Sequence, residues 1–392
     1  ILSNGGSWYG SVLSVKKGFS SLIVDISSIT LSLPQEEHAA PRATDNTRRV
    51  QNSLFIRPLI TKLIHVCRDD ISFVTKSRHR RCSTYHNDLM TQDDRSILTL
   101  QAGQTELAIA PHIGGSIVRY LTNHEGQTYH WMRPTPVDAI ENRNPGGMSS
   151  FPLVPFSNRI RNAAFHFRGR TIQLDQNFRP EPHAIHGHGW RAPWTVTNQT
   201  ETTLSIEYEH LANDWPWSYR AEQHFTLLPD RLTVRFTVTN NAPETMPVGF
   251  GLHPYFVRTP NATVRANVAQ MWQADRNSMP STQVEPPPQL LLAGTGLNPD
   301  NTPLDNNFTG FGGNAIVAWP EWNARLRITA DPIYGCLVVY TPAGQDFFCV
   351  EPATNCIDGF NLAANGRSDT GIIELDPNDT AGGDVTFEPF LI

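Results

Sequence analysis

The sequence predicts an all-β fold, an antiparallel β-sandwich, over most of the chain. Apolar and polar residues alternate with a period of two in many short segments, which is typical of antiparallel strands with one buried face. The composition includes 30 Pro and 27 Gly residues but only 17% charged residues. That balance favours many short strands joined by turns over long solvated helices. Neither a helix–strand alternation nor a glycine-rich nucleotide-binding motif is found in the sequence.

The alternation begins near residue 96 and continues towards the C-terminus. Its apolar positions, in chain order, are Leu98, Leu100, Leu107 and Ile109, then Leu204, Ile206 and Tyr208, then Leu232, Val234, Phe236 and Val238. Turn signals rich in Pro and Gly stand between such segments, for example at residues 144–147 and 341–344. The pattern therefore predicts strand after strand, each with one face towards a common core.

Composition also limits the class of protein. Hydrophobic residues make up 39% and aromatic residues 9% of the 392-residue chain, enough for a sizeable core. The formal net charge of −6 gives no general attraction to nucleic acid or to an anionic membrane, so neither is expected as a partner. The five cysteines are an odd number without a CxxC pair. They predict reduced thiols in a cytoplasmic protein rather than a disulfide framework or a zinc site.

Residues 1–89 differ in character from residues 90–392. The first part is rich in Ser, carries a basic cluster at residues 76–81 and shows no persistent hydrophobic period. Its apolar run at residues 21–26 is too short to cross a bilayer and lacks the order of a signal peptide, so no transmembrane segment is predicted. The first methionine is Met90, and we interpret residues 1–89 as an N-terminal extension, non-native or disordered. The alternative is a genuine targeting or regulatory arm.

Four short segments concentrate polar residues that strand packing does not require. They are FPLVPFSNRI at residues 151–160, HAIHGHGW at 183–190, GFGLHPYF at 249–256 and CVEPATN at 349–355. In this order and approximate spacing they resemble the aldose 1-epimerase (galactose mutarotase) family, and most closely its bacterial members with the FPLVPFSNRI type of motif. The resemblance covers about residues 96–390. It implies a galactose-mutarotase-like supersandwich with a sugar cleft on one concave sheet, and an isomerase that interconverts the α and β anomers of a free hexose.

Anomer interconversion needs two opposed proton carriers. A base removes the proton of the anomeric hydroxyl while an acid protonates the ring oxygen; the ring opens, the C1–C2 bond rotates and the ring closes on the other face. The resemblance assigns the base to Glu351 and the acid to His253. Ordinary pKa values of about 4.3 for Glu and about 6.5 for His suit this pair around neutrality. A neighbouring carboxylate is expected to hold the histidine protonated to higher pH.

Each of these two positions has an alternative interpretation. Glu351 follows the apolar run 347–350, so we expect it at a strand end where the cleft opens, and the alternative is a surface carboxylate before a Pro turn. His253 precedes Pro254, which favours an extended backbone. The alternative for His253 is a core histidine with satisfied hydrogen bonds.

Four further residues are candidates for sugar binding. The resemblance implies that His186 hydrogen-bonds the sugar near its ring oxygen and that Arg159 binds hydroxyls with its planar fork of donors. A structural ion pair with an Asp is the alternative for Arg159. Asp305 is the candidate for an aspartate that holds ring hydroxyls, and an Asx turn explains it equally well. Trp190 either stacks on the pyranose face or belongs to the core.

Three alternative functions stay open. The H-x-x-H-x-H arrangement of His183, His186 and His188 could ligate a transition metal on a β-scaffold, although the following Gly-Trp favours sugar contact. A non-catalytic carbohydrate-binding or sensing domain would keep Arg159 and the aromatic residues without needing the acid–base pair. Epimerisation of a hexose phosphate would require extra basic residues near the cleft, and the sequence by itself does not place Arg161, Arg168 or Arg191 there. The expectation is an enzyme that uses no metal and no cofactor, acts on a small sugar and works as a monomer or homodimer.

Overall fold

The computed structural model describes residues 13–17, 20–24 and 96–392. The chain divides between His86 and Asn87 into two units. Within the first unit, β1 (Leu13–Lys17) and β2 (Ser20–Val24) form an antiparallel hairpin. The interpretation of residues 1–89 as an extension, together with its basic cluster, otherwise lies outside the described residues.

Residues 96–392 consist almost entirely of short strands. The strands before residue 241 are β3 (Leu98–Ala102), β4 (Thr105–Ala110), β5 (Ser116–His124), β6 (Gln127–His130), β7 (Pro152–Leu153), β8 (Arg159–Ile160), β9 (Ala164–Phe167), β10 (Arg170–Gln173), β11 (Ala184–Ile185), β12 (Thr195–Gln199), β13 (Thr203–His210), β14 (Tyr219–Leu228) and β15 (Arg231–Asn240). The later strands are β16 (Met246–Val248), β17 (Gly251–Leu252), β18 (Tyr255–Val257), β19 (Thr263–Ala266), β20 (Gln270–Ala274), β21 (Pro280–Val284), β22 (Asp305–Thr309), β23 (Asn314–Trp319), β24 (Ala324–Ala330), β25 (Cys336–Tyr340), β26 (Phe347–Ala353), β27 (Ile373–Leu375) and β28 (Thr380–Leu391). Helical segments are short: α1 (Val137–Glu141), α2 (Gly359–Ala364) and the 3-10 turns Pro145–Gly147, Arg161–Ala163, Gly189–Arg191 and Pro320–Trp322.

One of two large sheets, here called the back sheet, has eight strands in the order β12-β13-β14-β15-β28-β24-β23-β19. Neighbouring strands are antiparallel, as in the ten-residue register of β14 against β15. On β15 the buried positions are Leu232, Val234, Phe236 and Val238, and the residues between them are partly or fully exposed. The predicted alternation is therefore confirmed, and it points one face of this sheet into the core.

The other large sheet, here called the cleft sheet, runs β21-β20-β22-β25-β26-β17-β7, and β18 also pairs with β26. On β26, Phe348 and Val350 belong to the main core shared with the back sheet. Cys349 and Glu351 alternate with them, so their side chains point from the opposite face. That opposite face carries the candidate site.

A single large hydrophobic cluster joins the two sheets and the four-stranded sheet β3-β4-β5-β6. Phe236 of the back sheet stacks on Phe250 with ring centroids 5.4 Å apart, and Phe250 meets Tyr334 at 5.7 Å. The Tyr120 hydroxyl of β5 donates to the Phe387 carbonyl of β28 at 3.2 Å. The predicted all-β, antiparallel sandwich class is confirmed.

Two properties of the described part bear on its class. No helix among the described residues is long and apolar enough to cross a membrane. The cysteines of this part, Cys336, Cys349 and Cys356, are buried and free of disulfide bonds. The other two cysteines lie outside the described residues.

We expect residues 90–392 to fold without the preceding part. Both large sheets are built from strands beyond residue 96, so deletion of residues 1–89 should shift the melting temperature by less than about 4 °C, the effect of roughly 1 kcal/mol in a domain of this size. The measurement is thermal unfolding of the truncated and full chains by circular dichroism. Insoluble or molten truncated protein would mean that the early segment supplies a strand or covers a sheet edge.

Candidate active site

A cleft of about 260 Å³ opens on the exposed face of the cleft sheet. Its lining includes all six residues predicted from the sequence: Arg159, His186, Trp190, His253, Asp305 and Glu351. These residues come from all four of the polar segments and from β22. The fold therefore brings positions nearly two hundred residues apart in the chain into one cavity.

The amide of Asn355 holds two of the polar segments together. Its Oδ1 accepts from the Ser157 backbone N–H at 2.9 Å, and its Nδ2 donates to the Ser157 carbonyl at 3.1 Å. Asn355 is buried, and Gly249 passes so close that a Cβ there would lie 2.1 Å from its Oδ1. This packing joins the end of β26 to the loop that carries Asn158 and Arg159.

Glu351 reaches the cleft from the middle of a strand. It is the fifth of seven residues of β26 and pairs in register with Val338 of β25. The expectation that Glu351 stands at a strand end was wrong, and so was the alternative of a surface carboxylate, because only 2% of the residue is exposed. Alternation along the strand, rather than the end of the strand, directs this side chain to the cleft.

His253 stands in the break between β17 and β18. Its ring packs against Phe151, at 4.5 Å between ring centroids, and against Tyr255, which is stacked at 4.8 Å with an interplanar angle of 17°. Its backbone N–H donates to the Phe151 carbonyl at 3.0 Å. These contacts direct Nε2 towards Glu351, where it lies 3.4 Å from Oε1.

Burial changes the protonation of this pair from what the sequence suggested. Burial, with the charge of Arg133 adding to it, lowers the pKa of His253 to about 3. Burial also raises the pKa of Glu351 well above its ordinary value; Asp305 adds to this effect and Arg159 opposes it. The expectation that a carboxylate would keep His253 protonated was wrong, because desolvation of both groups outweighs their attraction. Both shifts favour the uncharged forms, so a proton in this pair is held by the carboxyl group in preference to the imidazole.

The carboxyl group also keeps an unused oxygen. Glu351 Oε2 is buried and has no hydrogen-bond partner among the described residues. Leaving such an atom unsatisfied costs about 1–3 kcal/mol. Such an atom calls for a partner that the described residues do not supply, and a ligand, an ion or a water molecule could be that partner.

His186 is held by reciprocal hydrogen bonds with Asn158. The His186 backbone N–H donates to the Asn158 carbonyl at 2.9 Å, and the Asn158 N–H donates to His186 Nδ1 at 3.1 Å. Both residues have positive φ angles, 58° and 61°. Burial, with His253 and Arg159 adding to it, holds the pKa of His186 well below its ordinary value. Because Nδ1 accepts, the neutral ring carries its proton on Nε2 and can donate it to an oxygen atom in the cleft.

Gly187 allows this segment to pass close to the first motif. Its φ is +69°, and a Cβ at this position would lie 2.2 Å from the Val154 carbonyl oxygen. Any other residue would push His186 away from the cleft.

Arg159 is the centre of a charged network at one wall of the cleft. Its Nε and NH2 donate to the two carboxylate oxygens of Glu181 at 2.8 and 3.0 Å, and its NH1 lies 3.4 Å from Asp305 Oδ2. The predicted alternative, a pair with an Asp, is present together with a bidentate pair with Glu181. Burial opposes the charge of Arg159, but the Glu181 hydrogen bond and Asp305 raise its pKa overall. The wall therefore carries one cation that is already matched by carboxylates.

Asp305 begins β22 and pairs in register with Tyr340. It is a strand residue that lines the cleft, so the Asx-turn interpretation was wrong. Burial raises its pKa, although Arg159 opposes this shift. Asp305 therefore faces the same cavity as Glu351.

Aromatic rings form the rest of the cleft. Trp190 stacks on Phe151 at 5.3 Å and donates its Nε1–H to the Gly187 carbonyl at 3.2 Å. It packs in a small hydrophobic cluster, as the core interpretation requires, and it also lines the cleft, so its stacking on a sugar stays a prediction. Trp194, four residues further along the chain, lies in the main core.

Several lining or supporting residues had no sequence prediction. Phe151 and Tyr255 lie inside the polar segments, and their place next to predicted residues was the available signal. Glu181, Tyr340 and Phe347 lie outside those segments, where nothing in the pattern marks them.

The three histidines of the H-x-x-H-x-H arrangement do not form a metal site. His183 Nδ1 accepts from the Asn162 N–H at 3.0 Å. His188 Nε2 lies 3.0 Å from Asp214 in a separate cavity of about 330 Å³. Among the described residues, the one group of three or more potential ligands close enough to share an ion is His253, Cys349 and Glu351.

The basic residues considered for phosphate binding also lie outside the cleft lining. Arg161 pairs with Asp358, and Arg168 pairs with Glu374. Arg191 lies over the Trp190 ring at 5.5 Å and lines other cavities.

Comparison with known proteins gives a consistent result. A model of the aldose 1-epimerase family matches residues 96–387. The uncharacterized protein YphB of Escherichia coli (strain K12) is 30% identical over 245 residues, 61% of this chain and 82% of YphB. A crystal structure of a candidate aldose 1-epimerase from Escherichia coli K12 has a TM-score of 0.68 at 27% identity and covers 76% of this chain and 99% of that chain. A galactose mutarotase-like protein from Clostridium acetobutylicum has a TM-score of 0.65 at 20% identity, with 76% and 95% covered, which is a likeness of fold alone. The predicted galactose-mutarotase-like fold is confirmed.

Proposed function

The chain belongs to the aldose 1-epimerase family, and from this membership we propose that it interconverts the α and β anomers of a free hexose. The observation that carries the proposal is the pair of His253 Nε2 and Glu351 Oε1, 3.4 Å apart at the floor of the cleft. A sugar ring bound over this pair would present its anomeric hydroxyl and its ring oxygen to two proton carriers. Binding alone would require neither residue.

The shared proton of the pair supports a closed catalytic cycle. Transfer of that proton from Glu351 to His253 produces the carboxylate and the imidazolium, and hydrogen bonds from sugar hydroxyls stabilise the carboxylate. The carboxylate then takes the proton of the anomeric hydroxyl while the imidazolium protonates the ring oxygen, which opens the ring. This step returns the pair to its neutral form. After rotation about C1–C2, neutral His253 takes the proton from the ring hydroxyl and Glu351 protonates the aldehyde oxygen as the ring closes.

The charge of the cleft supports an uncharged sugar over a hexose phosphate. Among the residues that line the cleft, Arg159 is the one Arg or Lys side chain, and the carboxylates of Glu181 and Asp305 already balance its charge. A phosphate group would need a further cation or a set of backbone donors. The hexose phosphate alternative therefore has less support.

The test of the proposal is anomer exchange by the purified full chain, followed by polarimetry or NMR over a panel of free and phosphorylated aldoses. We expect acceleration proportional to enzyme concentration with at least one free hexose. Sugar binding in calorimetry without any acceleration would favour a sensing domain. Acceleration confined to phosphorylated sugars would favour the hexose phosphate alternative.

The pH dependence should reflect the shared proton. Because burial lowers the pKa of His253 to about 3, the pair gains a second proton only in acid. We expect kcat/KM to stay level as the pH falls through about 6.5, the ordinary pKa of His, and to decline only at lower pH. Circular dichroism at each pH controls for unfolding. An inflection near 6.5 in folded protein would mean that His253 titrates like a free histidine.

Activity should survive exhaustive chelation. Acid–base anomerisation requires no Lewis acid, and the arrangement His183, His186 and His188 does not converge on a common point. The measurement is the rate of anomer exchange before and after chelation, with metal analysis of the same samples. Activity lost on chelation and restored by a metal ion would contradict the acid–base proposal.

A further inference from the structure

One thiol lies against the acid–base pair and has no part in the proposed mechanism. Cys349 is two residues before Glu351 on β26 and shares its face of the sheet. It lies in register between Tyr340 of β25 and Tyr255 of β18. A potential ligand atom from each of Cys349, His253 and Glu351 lies within 4.8 Å of the other two.

We propose that these three residues form a binding site for a soft divalent metal ion, represented by Zn²⁺, which occupies the floor of the cleft and blocks anomer exchange. Binding of the ion rests on the three side chains alone. The inhibition rests on the proposed function.

The distances suit zinc. A tetrahedral ion with bonds of about 2.0–2.1 Å to nitrogen and oxygen separates those two ligands by about 3.3 Å. His253 Nε2 and Glu351 Oε1 are already 3.4 Å apart. With a Zn–S bond of about 2.3 Å, the thiolate must lie roughly 3.5 Å from each of them. Since the three ligand atoms lie within 4.8 Å of one another, the distances to the thiol must shorten by about 1.3 Å at most.

A buried carboxyl oxygen without a hydrogen-bond partner at the same point supports the binding of a ligand. Glu351 is 2% exposed, His253 is 7% exposed, and Glu351 Oε2 has no partner among the described residues. Three protein ligands leave a fourth position of the tetrahedron for water from the cleft. The same position overlaps the space in which a sugar hydroxyl would meet the pair.

Charge balance also favours a divalent ion. Zn²⁺ bound to a neutral histidine, a carboxylate and a thiolate carries no net charge, so the complex leaves no net charge buried. Because these ligands bind the metal in their deprotonated forms, binding releases protons and the apparent affinity should rise with pH.

The ligand types predict selectivity. A thiolate and an imidazole suit Zn²⁺ and Co²⁺, whereas Mg²⁺ and Ca²⁺ require six or more oxygen ligands in most sites. Mg²⁺ should therefore neither bind here nor inhibit.

The experiment is a Co²⁺ titration of the full chain, followed by displacement with Zn²⁺. We expect one ion per chain, the visible absorption of tetrahedral cobalt and a near-ultraviolet band of thiolate-to-cobalt charge transfer. Calorimetry in buffers of different ionisation enthalpy should report a net release of protons on binding. Absence of binding at millimolar Co²⁺ or Zn²⁺, or a spectrum without the thiolate band, would overturn the proposal.

Variants separate this site from other thiols. Cys349→Ala, and Cys349→Ser as the variant closest in volume, should lose the thiolate band and weaken Zn²⁺ binding by at least about 100-fold, the upper range for changes that only touch a ligand's neighbours. Their anomer exchange without zinc should stay near the rate of the unchanged protein. The matched controls Cys336→Ala and Cys356→Ala alter buried thiols of another cluster and should keep the band. Equal zinc affinity in folded Cys349→Ser would overturn the site.

Zinc inhibition is tested on the same proteins. We expect Zn²⁺ to slow anomer exchange by the unchanged protein and to have little effect on Cys349→Ser. Normal exchange at saturating zinc would overturn the inhibition. If the unchanged protein shows no anomer exchange at all, the proposed function fails, while the cobalt spectrum still decides whether the metal site exists.

Discussion

Glu351→Gln is expected to lower kcat for anomer exchange by about 10²–10⁴-fold, the usual contribution of a positioned acid or base. The substitution keeps the volume of a side chain that is 2% exposed, so the fold should remain. Glutamine cannot carry the proton that Glu351 shares with His253 across 3.4 Å. His253→Asn should have an effect of the same size, because it removes the other proton carrier. Much of the sugar affinity should remain in both variants.

The double variant makes this prediction sharper. Since each residue works only while the other is present, Glu351→Gln with His253→Asn should be about as slow as either single variant. The measurement is kcat from NMR exchange or polarimetry at saturating sugar, with melting curves to confirm folding. Glu207→Gln, on β13 of the back sheet, is a matched control that should behave like the unchanged protein. Near-normal turnover by folded Glu351→Gln would favour a binding domain over an enzyme.

Arg159→Ala is expected to raise KM by about 10–150-fold. A hydrogen bond from a charged group contributes about 1.5–3 kcal/mol, which corresponds to this range. Loss of such binding in the ground state and transition state alike raises KM more than it lowers kcat. A smaller fall in kcat should accompany it, because Arg159 also lowers the pKa of Glu351. Without that cation, the carboxyl group holds its proton more tightly.

Two further variants test whether the hydrogen bonds of the Arg159 guanidinium, and not its charge alone, account for the change in KM. Arg159→Lys keeps the positive charge but loses the planar fork, so its KM should be intermediate. Glu181→Gln removes one partner of Arg159, at 2.8 Å, and leaves the guanidinium in the cleft. Its KM should change less than that of Arg159→Ala. An unchanged KM and kcat in Arg159→Ala would mean that the pair with Glu181 is structural only.

The strand pattern was predictable because alternation is a local property of the extended backbone. Leu232, Val234, Phe236 and Val238 are buried as predicted, whatever strand lies beside them. The family resemblance carried by the four segments, of which residues 151–160 are the first, also implied that these segments share one site. All six predicted residues therefore line one cleft.

Only the tertiary structure decided which side chains meet in that cleft and how burial shifts their pKa values. Glu351 faces the cleft from the middle of β26, and Glu181, from a segment without any motif, matches the charge of Arg159. Burial lowers the pKa of His253 to about 3 and raises that of Glu351 above its ordinary value. Burial is the sum of contributions from several segments of the chain, including Phe151 and Tyr255, which both pack against the histidine ring. A pattern of neighbouring residues records which face of a strand is apolar, but desolvation and charge pairing depend on which remote side chains approach within a few ångströms.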